Sequence, residues 1–250
     1  MKNLILILVL LISFSTFAQV SIISDLDDTI KITQAGGNAT DIIGDDVFTG
    51  MPEFFKSASR YSDSLYILSA SPSFMGSKIR STLRLRGIQF KELILRSNVF
   101  EDKFTYKVRE IKRILDQTRD DFILVGDDLG KDPEVYAEIT RLYPSRILSS
   151  YIHKVNGRSF KGSVTYWTSL DLFLREFEAS RMPAKEVETI FDVLGSEKDL
   201  EMIFPLKANC PTDDSIWDWQ IRTMFQQEAQ RLIIKFTNFC KARQRRSDNF

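Results

Sequence analysis

Histidine is almost missing from this chain and cysteine is scarce, with 1 His and 2 Cys in 250 residues. That scarcity disfavours zinc, whose sites are built from imidazole and thiolate donors. Neither charge is in excess, 34 Lys and Arg standing against 34 Asp and Glu, so no global basic field points to nucleic acid. No internal repeat and no low-complexity tract interrupts the region from Gln19 to about Leu172. The one long apolar run, LILILVLLISFSTF behind Met1-Lys2, falls short of the roughly 20 residues that span a bilayer. With its charged start and the small residues near Thr16-Phe17-Ala18, it reads as a secretory leader cleaved after Ala18, which sends the mature chain to the periplasm or outside the cell.

The two cysteines, Cys210 and Cys240, both lie in the last fifth of the chain. In an exported protein they are expected to form one disulfide, two buried thiols being the alternative. The only basic cluster, Lys241 to Arg246, reads as the solvated end of a helix, where cations favour the dipole.

From Gln19 to about Leu172, short apolar runs alternate with amphipathic segments, the pattern of strands joined by crossover helices. VSIIS, SLYILSA, KELILRS, DFILVGD and SRILSSYI are the predicted strands, and residues 52–60, 77–86 and 106–117 carry helix-spaced apolar positions between them. A doubly wound parallel α/β sheet follows, occupying residues 19–180 once residues 1–18 are set aside. Beyond Leu172 the pattern is helical: residues 172–179, 184–194 and a long stripe from Ile216 to Phe239. Residues 181–250 are expected to form a helical C-terminal appendage, in which Trp217 and Trp219 serve packing.

What the chain does have is aspartate in two dense clusters. SDLDDT places Asp25, Asp27 and Asp28 at the end of the first strand, and VGDDLGKD places Asp127, Asp128 and Asp132 at the end of the fourth. In a parallel sheet the loops at the carboxyl ends of the strands build the site. Carboxylates crowded there repel one another unless protons or a cation compensate them. Hard oxygen donors favour Mg²⁺. Alternation along an extended strand end lets Asp25 and Asp27 project differently, so one carboxylate can attack phosphorus while the other handles the leaving-group proton.

Asp25-Leu26-Asp27-Asp28-Thr29 resembles the first motif of the haloacid-dehalogenase-like phosphatases, Asp-x-Asp-x-Thr. Tyr66-Ile67-Leu68-Ser69 resembles the second, Lys107 the third, and Gly126-Asp127 through Asp132 the fourth, in the family's order. SDLDDTIKIT, FTGMPEFF, YILSASPSFM, FILVGDDLGKDPEVYAEI and RILSSYIHKV together resemble the catalytic domain of the actin-patch-type phosphatidate phosphatases over roughly residues 20–155.

By that resemblance Asp25 is the nucleophile and Asp27 the general acid and base. Thr29, Ser69 and Lys107 bind the phosphoryl group, and Asp127 joins Asp25 and the Asp27 main-chain carbonyl on Mg²⁺. Asp128 and Asp132 are alternative ligands or acids that orient the metal or Lys107. Lys103 and Lys112 compete with Lys107 for the phosphate role. Gly44-Asp45-Asp46 repeats the Gly-Asp-Asp tripeptide but follows only a short apolar pair, and reads as a loop. His153 reads as a strand-end residue near the surface. The segment from Lys31 to Thr49 reads equally as a flap over the site or an ordinary surface loop.

The expected activity is Mg²⁺-dependent phosphomonoester hydrolysis through an aspartyl-phosphate, with a phosphatidate-like lipid at a membrane surface as the substrate that the resemblance implies. Soluble phosphomonoesters such as nucleotides or sugar phosphates are the rival substrates. A phosphate- or lipid-binding module without turnover is the rival from another class. No nucleic-acid partner is expected.

Overall fold

A computed structural model describes residues 19–37, 44–158, 160–213, 217 and 223–248. The predicted leader, residues 1–18, lies outside the described residues, as do Ile216 and Trp219. Six strands form one parallel sheet: β1 Val20–Ser24, β2 Ser64–Pro72, β3 Glu92–Arg96, β4 Asp121–Asp127, β5 Ile147–His153 and β6 Val164–Tyr166, in the order β3-β2-β1-β4-β5-β6. The helices are α1 Met51–Ala58, α2 Gly76–Leu85, α3 Lys103–Gln117, α4 Asp132–Leu142, α5 Ser169–Glu178, α6 Ala184–Ser196 and α7 Gln226–Ser247. Winding runs one way from β1 to β3 and the other from β4 to β6, so the crevice of the fold opens at the carboxyl ends of β1 and β4.

The strands read as unbroken apolar runs because both faces of the sheet are covered. Successive side chains point to opposite faces. Ile22, Leu65, Ile67, Ile123 and Val125 enter one core, with Phe54 and Phe55 of α1, Phe173 of α5, Ile190 of α6 and Phe236 of α7. Ile23, Tyr66, Leu68, Phe122 and Leu124 enter the other, with Tyr106 and Ile111 of α3 and Tyr136 and Ile139 of α4. The expected parallel α/β sheet with C-terminal helices is therefore present, and α5, α6 and α7 share the hydrophobic cluster of the face they cover.

Two elements were not among those predicted. β6 has only three residues, too few to show a period, and α4 opens on Asp132-Pro133, where proline suits the first turn of a helix. β6 changes the reading of His153. Tyr166 is its register partner on the neighbouring strand, its ring stacks on the imidazole at 4.9 Å, and Phe48 meets the imidazole edge-on at 4.6 Å. His153 is buried rather than near the surface.

The expected disulfide joins Cys210 to Cys240 with 5.4 Å between Cα atoms. It ties the segment before residue 213 to α7, and Arg243 of the same helix donates to the carbonyls of Phe204, Pro205 and Ala208. One member of the basic cluster is thus occupied inside the protein, while Lys241, Arg245 and Arg246 are exposed. Trp217 is buried against Phe204 and Phe236. No described helix is long and apolar enough to cross a membrane.

Candidate active site

β1 is the hinge of the arrangement because it pairs with β2 on one side and β4 on the other. The Asp25 N–H donates to the Val125 carbonyl at 2.8 Å, which carries β4's hydrogen-bond ladder past the end of the strand and fixes the first aspartate beside the acidic turn of β4. Asp102 caps α3 by accepting the Thr105 N–H at 2.9 Å, so the helix begins at Lys103, earlier than its predicted start at residue 106. Lys103 and Lys107 then share one helix face. Both line the cavity formed at the carboxyl ends of the strands, whereas Lys112 is exposed.

Lys107 is the electrostatic centre of the site. Its Nζ lies 2.9 Å from Asp25 Oδ1 and also pairs with Asp132. All three side chains are buried. Burial alone would lower the Lys107 pKa, but the carboxylates of Asp132 and Asp25 outweigh it and hold the ammonium above its ordinary value. Asp25 is raised well above the usual carboxylate range, first by burial, against the opposing pull of Lys107 and with repulsion from Asp132, Asp127 and Asp27. Asp127 is pushed up to about 7 by burial and then by Asp132.

The three carboxylates of Asp25, Asp127 and Asp132 offer oxygens that all lie within 4.8 Å of one another. A buried, crowded set of carboxylate oxygens, free of nitrogen or sulfur, fits a hard divalent cation. The Asp127 carboxylate is aimed by the N–H groups of Leu129 and Gly130, at 2.6 and 2.9 Å. Asp132 is held by Lys107 and by the Asp127 N–H at 3.4 Å. Gly126 is required there, since a Cβ on it would overlap the Asp132 carboxylate.

Asp27 has different company. Its Oδ2 accepts from the Ser69 hydroxyl at 3.0 Å and the Ser71 hydroxyl at 2.7 Å. The Ser71 N–H donates in turn to Ser69 Oγ at 2.9 Å. Ser69 is fully buried, so its hydroxyl lies beneath Asp27 and not among the residues that line the cavity. Thr29 is also buried, away from the cavity lining, and its hydroxyl meets no hydrogen-bond partner.

Two aspartates of the clusters hold backbone instead. Asp28, at φ 58°, accepts from the N–H groups of Thr33, Gln34 and Ala35 and from the Thr33 hydroxyl at 2.6 Å. Asp128 accepts from the N–H groups of Asn156 and Arg158, at 2.6 and 2.8 Å. Asp45 of the repeated tripeptide accepts from Thr82 of α2 and takes no part in the acidic cluster.

The cavity has a volume of about 270 Å³ and is lined by Asp25, Asp27, Lys107 and Asp127 together with Ala70, Ser71, Arg96, Lys103 and Lys131. Ser71, Arg96 and Lys131 were missed as site residues. Ser71 had a signal, because Ser69 and Ser71 are two apart on a strand and face the same way. Arg96 had none, since only the sheet order brings it beside Pro72.

A sequence search of curated proteins finds no match. Among solved structures, the phosphoserine phosphatase from T. onnurineus, crystallised with NDSB-201, is similar at 13% identity over 59% of this chain and 88% of that one, with a TM-score of 0.38. The family model described as the phosphatidate phosphatase APP1 catalytic domain matches residues 20–154. That stretch runs from β1 to just past β5 and contains Asp25, Asp27, Ser69, Lys107 and Asp127. The chain belongs to the phosphatidate phosphatase APP1 catalytic-domain family and is a phosphatase built on a six-stranded parallel α/β sheet.

Proposed function

We propose that this protein is an exported, Mg²⁺-dependent phosphatase that hydrolyses a phosphatidate-like lipid phosphate through an aspartyl-phosphate on Asp25. The observation that carries the mechanism is the division of labour between two carboxylates two residues apart. Asp25 lies against the Lys107 ammonium, and Asp27 lies against two hydroxyls. Pairs of titratable groups in such different environments are how a site separates its nucleophile from its acid and base.

Asp25 attacks phosphorus, forming an Asp25 Oδ–P bond as the ester P–O bond breaks. Asp27 gives its proton to the departing alkoxide. The same carboxylate then takes a proton from water as the water oxygen attacks phosphorus, the Asp25 Oδ–P bond breaks, and inorganic phosphate leaves. Lys107 holds charge on the phosphoryl oxygens and orients Asp25, while Asp132 fixes Lys107. Asp25 and Asp127 would hold Mg²⁺, with the Asp27 carbonyl joining them as in the family. When bound, the cation neutralises charge that otherwise repels an anionic nucleophile from an anionic ester.

Membership of a phosphatidate phosphatase family supports the lipid substrate, and a cavity of about 270 Å³ suits a headgroup. The apolar leader and the Cys210–Cys240 disulfide support export. N-terminal sequencing of the protein from the exported fraction is expected to begin at Gln19. A start at Met1 would withdraw the cleavage.

The functional test is phosphate release from dispersed phosphatidate and from a soluble phosphomonoester, with Mg²⁺ or with chelator, beside Asp25→Asn. Mg²⁺-dependent release from phosphatidate, abolished by the substitution, is the expected result. Preference for the soluble ester would replace the lipid. No release from either by folded protein would leave a binding module.

A further inference from the structure

Among the described residues only two phenylalanines stand largely in solvent, Phe74 at 83% and Phe100 at 95% exposure. Neither is placed at random. Phe74 lies in the single turn between β2 and α2, and Phe100 in the loop between β3 and α3. The two strands are neighbours, and Pro72 and Arg96 at their carboxyl ends are register partners. A Cβ built on Gly76 would meet Leu95 at 3.3 Å, so the turn carrying Phe74 packs against the end of β3.

Both loops also line the catalytic cavity. Pro72 and Met75 flank Phe74 and are part of that lining, and so are Arg96 and Lys103, which flank Phe100. The rings therefore stand on the rim of the cavity at whose base Asp25 is only 6% exposed. Val99, 44% exposed, adds to the apolar tip of the second loop.

The polar residues around these rings are cationic at the mouth. Arg96 and Lys103 bracket the β3–α3 loop, and Lys131 comes from the turn between β4 and α4. The acids on the same loops have local partners: Glu101 pairs with Arg109, Asp102 caps α3, and Glu134 lies 3.9 Å from Lys131. Exposed aromatic side chains above a set of Lys and Arg are the chemistry of an interfacial anchor on anionic lipid. A protein partner fits less well, because the core of a protein interface is depleted in lysine.

We propose that the cavity mouth is a docking face for an anionic bilayer: Phe74 and Phe100 enter the boundary between headgroups and acyl chains, while Arg96, Lys103 and Lys131 meet the headgroups. Docked this way, the enzyme draws a headgroup down to Asp25 while the acyl chains stay at the rim. The inference extends the lipid-phosphate reading of the same site, and the two can fail separately.

The experiment is co-sedimentation of the purified protein with vesicles of phosphatidylcholine and phosphatidylserine, against phosphatidylcholine alone, for the parent and for Phe74→Ser/Phe100→Ser. Using the same chain for both cancels any contribution from the apolar residues near its start. The parent is expected to prefer the anionic vesicles, and added salt to weaken that preference. The double variant is expected to bind about tenfold or more weakly per ring removed. Its release of phosphate from a soluble ester should equal the parent's, which also shows that it is folded, because neither ring lines the cavity.

A parent that ignores anionic vesicles, or a double variant that binds them as well as the parent, overturns the proposal. So does a double variant whose solution mass falls while vesicle binding is unchanged, which would make the face a contact between two copies. Vesicle binding that depends on both rings, in a protein that releases no phosphate from phosphatidate, would keep the docking face and remove the lipid-phosphate substrate.

Discussion

The turn after β1 and the turn after β4 carry the same number of aspartates, yet they spend them differently. Each commits one acid to backbone: Asp28 holds the N–H groups of residues 33–35, and Asp128 holds those of residues 156 and 158. The remaining pair at β1 divides between an ammonium and two hydroxyls. The pair at β4 stays together, with Asp132 supporting both Lys107 and the Asp127 backbone. Residue type alone therefore assigns no role here; the hydrogen-bond partner does. In the proposed mechanism β1 supplies the reacting groups, and β4 supplies the charge and positioning around them.

If that division is right, substitutions of equal chemistry have unequal consequences. Asp25→Asn removes the nucleophile while keeping its shape, and turnover is expected to fall by at least about 10⁴-fold, measured as phosphate release. Asp27→Asn removes the proton donor and acceptor, and a loss of about 10² to 10⁴-fold is expected. Equal losses at both positions would erase the difference between nucleophile and proton carrier, and a fully active Asp25→Asn would end the reading.

The backbone-holding pair should move stability instead. Asp28→Ala strips four hydrogen bonds from a buried carboxylate and is expected to cost about 3 kcal/mol in denaturant unfolding. Asp128→Ala strips two and should cost less, about 2 kcal/mol. Under conditions where both variants are folded, each should keep its phosphate release within about tenfold of the parent. Asp128→Ala with native stability and no turnover would move Asp128 into the chemistry.

Much of this was legible before any coordinates. The strands were readable because burial on both faces makes unbroken apolar runs such as FILV, and the meeting of Asp25 with Asp127 was readable because acids at the carboxyl ends of parallel strands face one crevice. Two things were hidden. The role of Asp28 depends on a left-handed turn and on N–H groups five to seven residues later, and no spacing rule distinguishes it from Asp27. The burial of His153 depends on β6, a strand too short to have a period. The basic mouth was hidden for the same reason as Arg96: it gathers residues from loops that only the sheet order brings together.

The smallest effect tests the cluster's charge. The pKa of Asp127 in the folded protein is about 7, above its ordinary value, so it contributes stability that is complete below the unfolded value and lost as pH rises through about 7. Asp25 is raised in the same direction. Metal-free protein should accordingly lose about 1 kcal/mol between about pH 6 and pH 8, roughly 3 °C in Tm for a chain of this size. His153, lowered by burial, works in the opposite sense near its own titration. The carboxylates are therefore isolated by the increment that Mg²⁺ adds to Tm. A cation binds the ionised carboxylates and relieves their repulsion, so that increment should grow from pH 6 to pH 8. It should shrink in Asp127→Asn, which has neither the charge nor the titration. An increment that is independent of pH in the parent would mean that Mg²⁺ binds somewhere other than between the turns of β1 and β4.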